Sequence, residues 1–119
     1  MQERDIANKK CVPCEGGTPP LSREDVQELL FQLHREWSIR PPFEQDTTGA
    51  GREISRVFVF ENFPQAISFV NKVAELAEQE GHHPDLTIRY NQVKILLSTH
   101  AIGGLSQNDF IMASKIDLL

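Results

Sequence analysis

A chain of 119 residues suits one domain with a single core. Its 39% hydrophobic content belongs to a globular rather than a disordered composition, and its formal net charge of -5 argues against a nucleic-acid partner, which calls for a basic face. No apolar run approaches the ~18 residues of a membrane span, and the charged start M-Q-E-R-D-I-A-N-K-K lacks the apolar centre of a secretory signal, so a reducing, cytoplasmic setting without a membrane partner is expected.

Residues 1–20, rich in charge, glycine and proline, read as a loosely packed arm ahead of a domain over 21–119. The arm holds both cysteines, as Cys11-Val-Pro-Cys14. Redox use of such a pair needs a helix start within a βαβ unit, whereas Pro13, Gly16, Gly17, Pro19 and Pro20 make this context a loop. A zinc site needs two further ligands, and scattered histidines are all the chain offers. Two plain thiols are the favoured reading, with metal or redox use as the alternative.

Ser22 with Asp25 three residues on marks a helix start, and Val26, Leu29, Leu30, Leu33 and Trp37 fall on one helical face. His34 in that helix reads as solvated or packed. A short strand fits Trp37 to Ile39, and Pro41-Pro42 with Thr47-Thr48-Gly49-Ala50-Gly51 then interrupt regular structure. Glu53 to Phe60 is a β-branched, aromatic strand whose last four residues are apolar on both faces, which places it centrally or half covered. Asn62-Phe63-Pro64 opens a second helix, with proline in the first turn. Its stripe is Ala66, Phe69, Val70, Val73, Ala74 and Ala77, and Gly81 terminates it.

Leu86–Tyr90 and Val93–His100 pair as a hairpin across Asn91-Gln92. Alternation sends Val93, Ile95, Leu97 and Thr99 to one face, and Lys94, Leu96, Ser98 and His100 to the more polar one, where an imidazole is accessible. Ser106 and Asp109 form a second capping pattern, ahead of a last helix with Met112, Ala113, Ile116 and Leu119 on one side. The order α-β-β-α-β-β-α predicts an α+β domain: an antiparallel sheet of about four strands with helices packed on one face. The other face is only partly polar, which invites oligomerisation.

Function concentrates between Glu78 and His100, a stretch with three of the four histidines. His82 and His83 leave a helix end together and His100 ends a strand. Histidine titrates near neutrality, so three of them around one place would equip acid–base chemistry. Adjacent histidines also occur simply solvated. Zinc is the functional rival, since three histidines with an open position make a catalytic site, but the H-E-x-x-H spacing of a helical zinc motif is absent. Asp109 reads equally as a cap residue reaching back to Ser106. Glu78 sits in a last helical turn, where a carboxylate opposes the helix dipole and a nearby imidazolium would relieve it.

The pattern Glu78-x-x-x-His82-His83-Pro84, then Tyr90, His100 and Asp109, with Leu97-Ser98-Thr99-His100 and Gly103-Gly104-Leu105-Ser106, resembles the signature of the pterin-4a-carbinolamine dehydratases. The resemblance runs from about Leu21 to Leu119. It departs at Gly81, where animal members carry aspartate, and at Leu86, where they carry tryptophan. It implies dehydration of a 4a-hydroxytetrahydropterin to the quinonoid dihydropterin in tetrahydrobiopterin recycling, a hydro-lyase reaction. The pterin is substrate, and neither cofactor nor metal is expected. It further implies that His82, His83 and His100 are catalytic, that Gly81, Pro84, Ser98 and Thr99 line the pterin pocket, and that Glu78 and Asp109 hold the imidazoles from behind. A homodimer or homotetramer is expected by the same resemblance. Because animal relatives also act as dimerisation partners of a transcription factor, a non-enzymatic binding module is the alternative.

Overall fold

The computed structural model describes residues 6, 8–11, 19–40 and 51–119. Its elements are α1 (Arg23–Gln32), β1 (Ser38–Arg40), β2 (Glu53–Val59), α2 (Phe63–Glu80), β3 (Asp85–Arg89), β4 (Gln92–Leu97), a 3-10 turn (His100–Ile102) and α3 (Gln107–Asp117). The strands form one antiparallel sheet in the order β1-β2-β4-β3, so the expected α+β architecture is present. Strand β2 is paired along both edges, in keeping with the expectation of a central or half-covered strand. Among the described residues no helix is long and apolar enough to cross a membrane.

Register decides which side of the sheet is core. Ile54 pairs with Leu97, Arg56 with Ile95 and Phe58 with Val93, so these side chains share a face. Helix α2 covers it with Ala66, Phe69, Val73 and Ala77, and the Phe58 and Phe69 ring centroids are 4.7 Å apart. Leu76 packs against this core, whereas Ala74, expected on the stripe, is exposed. The opposite face leaves Val57 44% and Val59 66% exposed.

Several sequence expectations need correction. Helix α1 stops at Gln32: Leu33 turns to an extended ψ of 166° and Trp37 reaches the core from the loop beyond. The His34 ring holds that loop, its Nδ1 accepting the Glu36 N–H at 3.1 Å. The hairpin turns at Tyr90-Asn91 rather than Asn91-Gln92, since Gln92 pairs with Arg89. Tyr90 takes φ 51°, and Asn91 docks on the end of β2, its Nδ2 donating to the Phe60 carbonyl at 2.9 Å. Helix α3 is not one-sided: Asn108 through Ser114 are all buried, and Leu119 is exposed. A helix enclosed on every side has no polar face for a periodic pattern to reveal.

Part of the N-terminal stretch is packed rather than loose, because Ile6 and Cys11 belong to the buried core. Cys14 and the breaker residues 41–50 lie outside the described residues. The Cys11 thiol lies 3.7 Å from the Asn108 carbonyl, and burial, then the Glu80 carboxylate, push it up from 9.0 to about 12. That is opposite to the lowered pKa of a redox-active thiol. In the unfolded chain the thiol ionises near its ordinary value while the fold keeps it protonated. This contribution to stability is therefore whole below pH 9 and declines as pH rises from 9 towards about 12. In a Cys14→Ser protein we expect Cys11 to be inert to a disulfide reagent at pH 8 when folded and to react fully in urea. Rapid labelling of the folded protein would contradict its burial.

Candidate active site

The site begins at the end of α2. Gly81 takes the left-handed φ of 66°, which glycine adopts without a Cβ penalty, and the His82 N–H returns to the Ala77 carbonyl at 3.3 Å. This 6→1 bond is the Schellman closure of a helix. It fixes the backbone of His82, while space around Gly81 stays open.

Asp109 faces it from α3 and is completely buried. Its Oδ1 meets His82 Nε2 at 2.6 Å, and the His82 side chain is only 12% exposed. Its Oδ2 accepts the Ser106 N–H at 2.9 Å and the Thr99 hydroxyl at 2.8 Å. Thr99 has one hydroxyl proton and gives it to Asp109, so in the 2.8 Å contact between Thr99 Oγ1 and Ser106 Oγ the serine donates. Asp109 is therefore both a helix cap and a histidine partner, one oxygen for each task. A carboxylate accepting from Nε2 places the ring proton there and leaves Nδ1 as the basic nitrogen of neutral His82.

His83 turns to a different carboxylate. Its Nε2 lies 2.5 Å from Glu78 Oε2, with side chains 62% and 77% exposed. Such an exposed pair is worth about 0–1 kcal/mol. The two adjacent histidines thus engage separate acids.

His100 does not end a strand. Strand β4 stops at Leu97, Thr99 bridges to Gly104 in both directions, and His100 opens the 3-10 turn that Gly103 closes at φ 68°. Burial alternates through Thr99 as expected, and His100 is exposed. Among the described residues its ring has no hydrogen-bond partner. It follows Thr99 directly, so the Asp109 network ties its backbone to His82. Ser98 and Pro84 are half-buried. The Thr99 side chain is buried and committed to Asp109 and Ser106.

Behind these residues sits a second group with no sequence signal. Glu80 Oε1 accepts the Cys11 N–H at 2.9 Å, and Oε2 accepts Lys115 Nζ at 3.0 Å. Burial works to raise the Glu80 carboxyl, but the Cys11 N–H and the Lys115 ammonium outweigh it and hold the group below its ordinary value. Residues 35 apart in sequence form this pair, which no local spacing rule reaches. Among the described residues no three His, Cys, Asp or Glu side chains are grouped to hold a metal ion.

A family model described as pterin 4 alpha carbinolamine dehydratase matches residues 19–119. A Nitrosomonas eutropha protein, provisionally named a pterin-4-alpha-carbinolamine dehydratase, is 49% identical over 97% of this chain and 93% of its own length. An Alkaliphilus metalliredigens protein with the same provisional name is 43% identical over 95% of this chain and 94% of its own. Among solved structures, a Brucella melitensis protein described as a transcriptional coactivator/pterin dehydratase superposes with TM-score 0.71 at 30% identity, over 83% of this chain and 96% of that one. A pterin dehydratase-like RuBisCO assembly factor of the alpha-carboxysome shares the fold at TM-score 0.54 and 22% identity, over 71% of this chain and 89% of that one.

Proposed function

The chain belongs to the pterin-4a-carbinolamine dehydratase family, and from that premise we propose that it removes water from a 4a-hydroxytetrahydropterin, giving the quinonoid dihydropterin. The observation that carries the reading is the His82 Nε2 to Asp109 Oδ1 contact of 2.6 Å, on a wholly buried carboxylate that also binds Thr99, the residue before His100. An imidazole fixed at one nitrogen by an acid can exchange protons at the other.

Hydroxide is a poor leaving group, so the C4a–O bond needs an acid as it breaks. The N5 lone pair pushes from the ring side, water departs, and the ring then gives up a proton. In the proposed division the imidazolium form of His82, protonated at both nitrogens and giving up its Nδ1 proton, and His100 deliver the proton to the hydroxyl, which leaves His82 neutral with its remaining proton on Nε2. His83 positions or deprotonates the ring, with Glu78 holding its Nε2. Gly81, Pro84, Ser98 and Thr99 border the pterin, Thr99 also tethering Asp109. The C4a–O bonding pair leaves with the water, the N5 lone pair makes the new ring double bond, and no external oxidant or reductant is consumed, so the proposal assigns no cofactor and no metal. It assigns a homodimer or homotetramer in the cytoplasm, a number that light scattering would settle.

Each well-placed acid or base is worth about 10²–10⁴-fold. His83→Ala and His100→Ala are each expected to slow dehydration by at least the lower end of that range. Wild-type rates in both variants would remove the proposal. A second reading, a binding module, draws support from the Brucella relative's description and from the exposed Val57 and Val59. Protein added to a 4a-hydroxypterin generated in situ separates the two. Faster dehydration favours the enzyme, and no effect with a stable protein complex favours the module.

A further inference from the structure

Glu80 ends α2, two residues before His82, yet its side chain is only 8% exposed. A carboxylate in that position opposes the helix dipole, and burial adds a desolvation cost. Solvation therefore does not account for its placement, but its bonds do. Lys115 Nζ ties Glu80 to the second half of α3. The Cys11 N–H ties the same carboxylate to the N-terminal segment, whose thiol reaches the Asn108 carbonyl at the start of α3. Asn108 immediately precedes Asp109. The segment around Cys11 thus bridges the last residue of α2 and the first turn of α3, the two places that supply His82 and Asp109.

We propose that Glu80 is a positioning residue, which together with the Cys11 N–H and the Lys115 ammonium sets the approach of α2 to α3 so that His82 Nε2 meets Asp109. The stretch ahead of the family domain thereby becomes part of what holds the site. Among the described residues, Glu80–Lys115 and His82–Asp109 both connect the end of α2 with α3. Releasing the first removes one of the ties that hold the second in place. The effect on turnover rests on the dehydratase reading; the effect on the His82 ring does not.

Long-range ¹H–¹⁵N spectra of the histidine rings give the test, because they report whether Nε2 carries the proton in a fixed tautomer. In Glu80→Ala we expect the His82 pattern to move towards that of a free, averaging imidazole. Turnover should fall about tenfold to a hundredfold with KM little changed, as expected for a catalytic group out of place. Lys115→Arg, which keeps the charge, should behave as wild type. If Glu80→Ala does not fold, Lys115→Met carries the same test, since it cuts one tie and leaves the Cys11 bond. Wild-type ring signals in the folded variants, even with lowered melting temperature or activity, would overturn the proposal. A wild-type protein inactive on the pterin would overturn the dehydratase reading alone, and the ring signals would still decide on Glu80.

Discussion

Asp109→Asn should abolish most of the dehydration activity and weaken the fold at once. The carboxylate accepts from three donors: His82 Nε2, the Thr99 hydroxyl and the Ser106 N–H. An asparagine keeps one carbonyl oxygen and presents an NH2 on the other side. If the oxygen stays with Thr99 and Ser106, the amide donates towards His82, whose ring proton must then move from Nε2 to Nδ1. That reverses the nitrogen available for chemistry. If the amide flips, Ser106 N–H and Thr99 lose their acceptor inside the protein. An unsatisfied buried donor costs about 1–3 kcal/mol, so one or two of them lower stability by about 2–4 kcal/mol. A wrong tautomer costs on the order of 10²–10⁴-fold in turnover. The measurements are a urea titration for the first and initial rates of dehydration for the second. A variant with wild-type rate and midpoint would mean that Asp109 neither orients His82 nor stabilises the cap.

Local chemistry is why so much of the fold could be read beforehand. Ser22, Asn62 and Ser106 begin helices at the places where each is the N-cap, and Gly81 ends one where a left-handed residue is needed. Strand β2 follows from its β-branched, aromatic run, and β4 from a run in which apolar and polar residues alternate. The errors are of one kind, since each lies where a tertiary partner decides. Trp37 continues a helical face in sequence, but its indole N–H is drawn to Asp117, 80 residues away, and the helix ends earlier. Alternation continues through Thr99 and in sequence carries β4 to His100, whereas the Thr99–Gly104 bridge folds the chain back. Helix α3 offers Met112, Ala113 and Ile116 as one apolar side in sequence, whereas packing also buries its polar Asn108, Asp109 and Ser114. The site divides in the same way. The histidines and Asp109 stand out by residue type and spacing, while Glu80 and Lys115 look like ordinary surface charges until the helices are packed.

The second large effect is expected at Asp117→Ala, at the opposite end of α3 from Asp109. Asp117 ends α3, and its carboxylate takes Trp37 Nε1 at 2.9 Å and an Arg56 guanidinium nitrogen at 2.8 Å. Arg56 projects from the core face of β2, lies 4.3 Å over the Phe58 ring and keeps 17% side-chain exposure. One acid therefore joins the last helix, the central strand and the loop after α1. Removing it leaves a largely buried guanidinium and an indole N–H without this acceptor. Breaking a fully buried pair costs about 3–5 kcal/mol, and the residual access of Arg56 to water reduces that to about 2–4 kcal/mol. Asp117→Asn keeps an acceptor for the indole and should cost about half as much. The double variant Asp117→Ala/Arg56→Met should recover part of the loss, because an apolar chain no longer needs a counter-charge at that place. Dehydration below the melting transition should stay near wild type in all three, since Trp37 and Arg56, which Asp117 holds, take no part in the proposed proton transfers. Midpoints unchanged from wild type would show that the three elements are held together by apolar packing alone, and a loss of turnover in the folded protein would extend the site to the far end of α3.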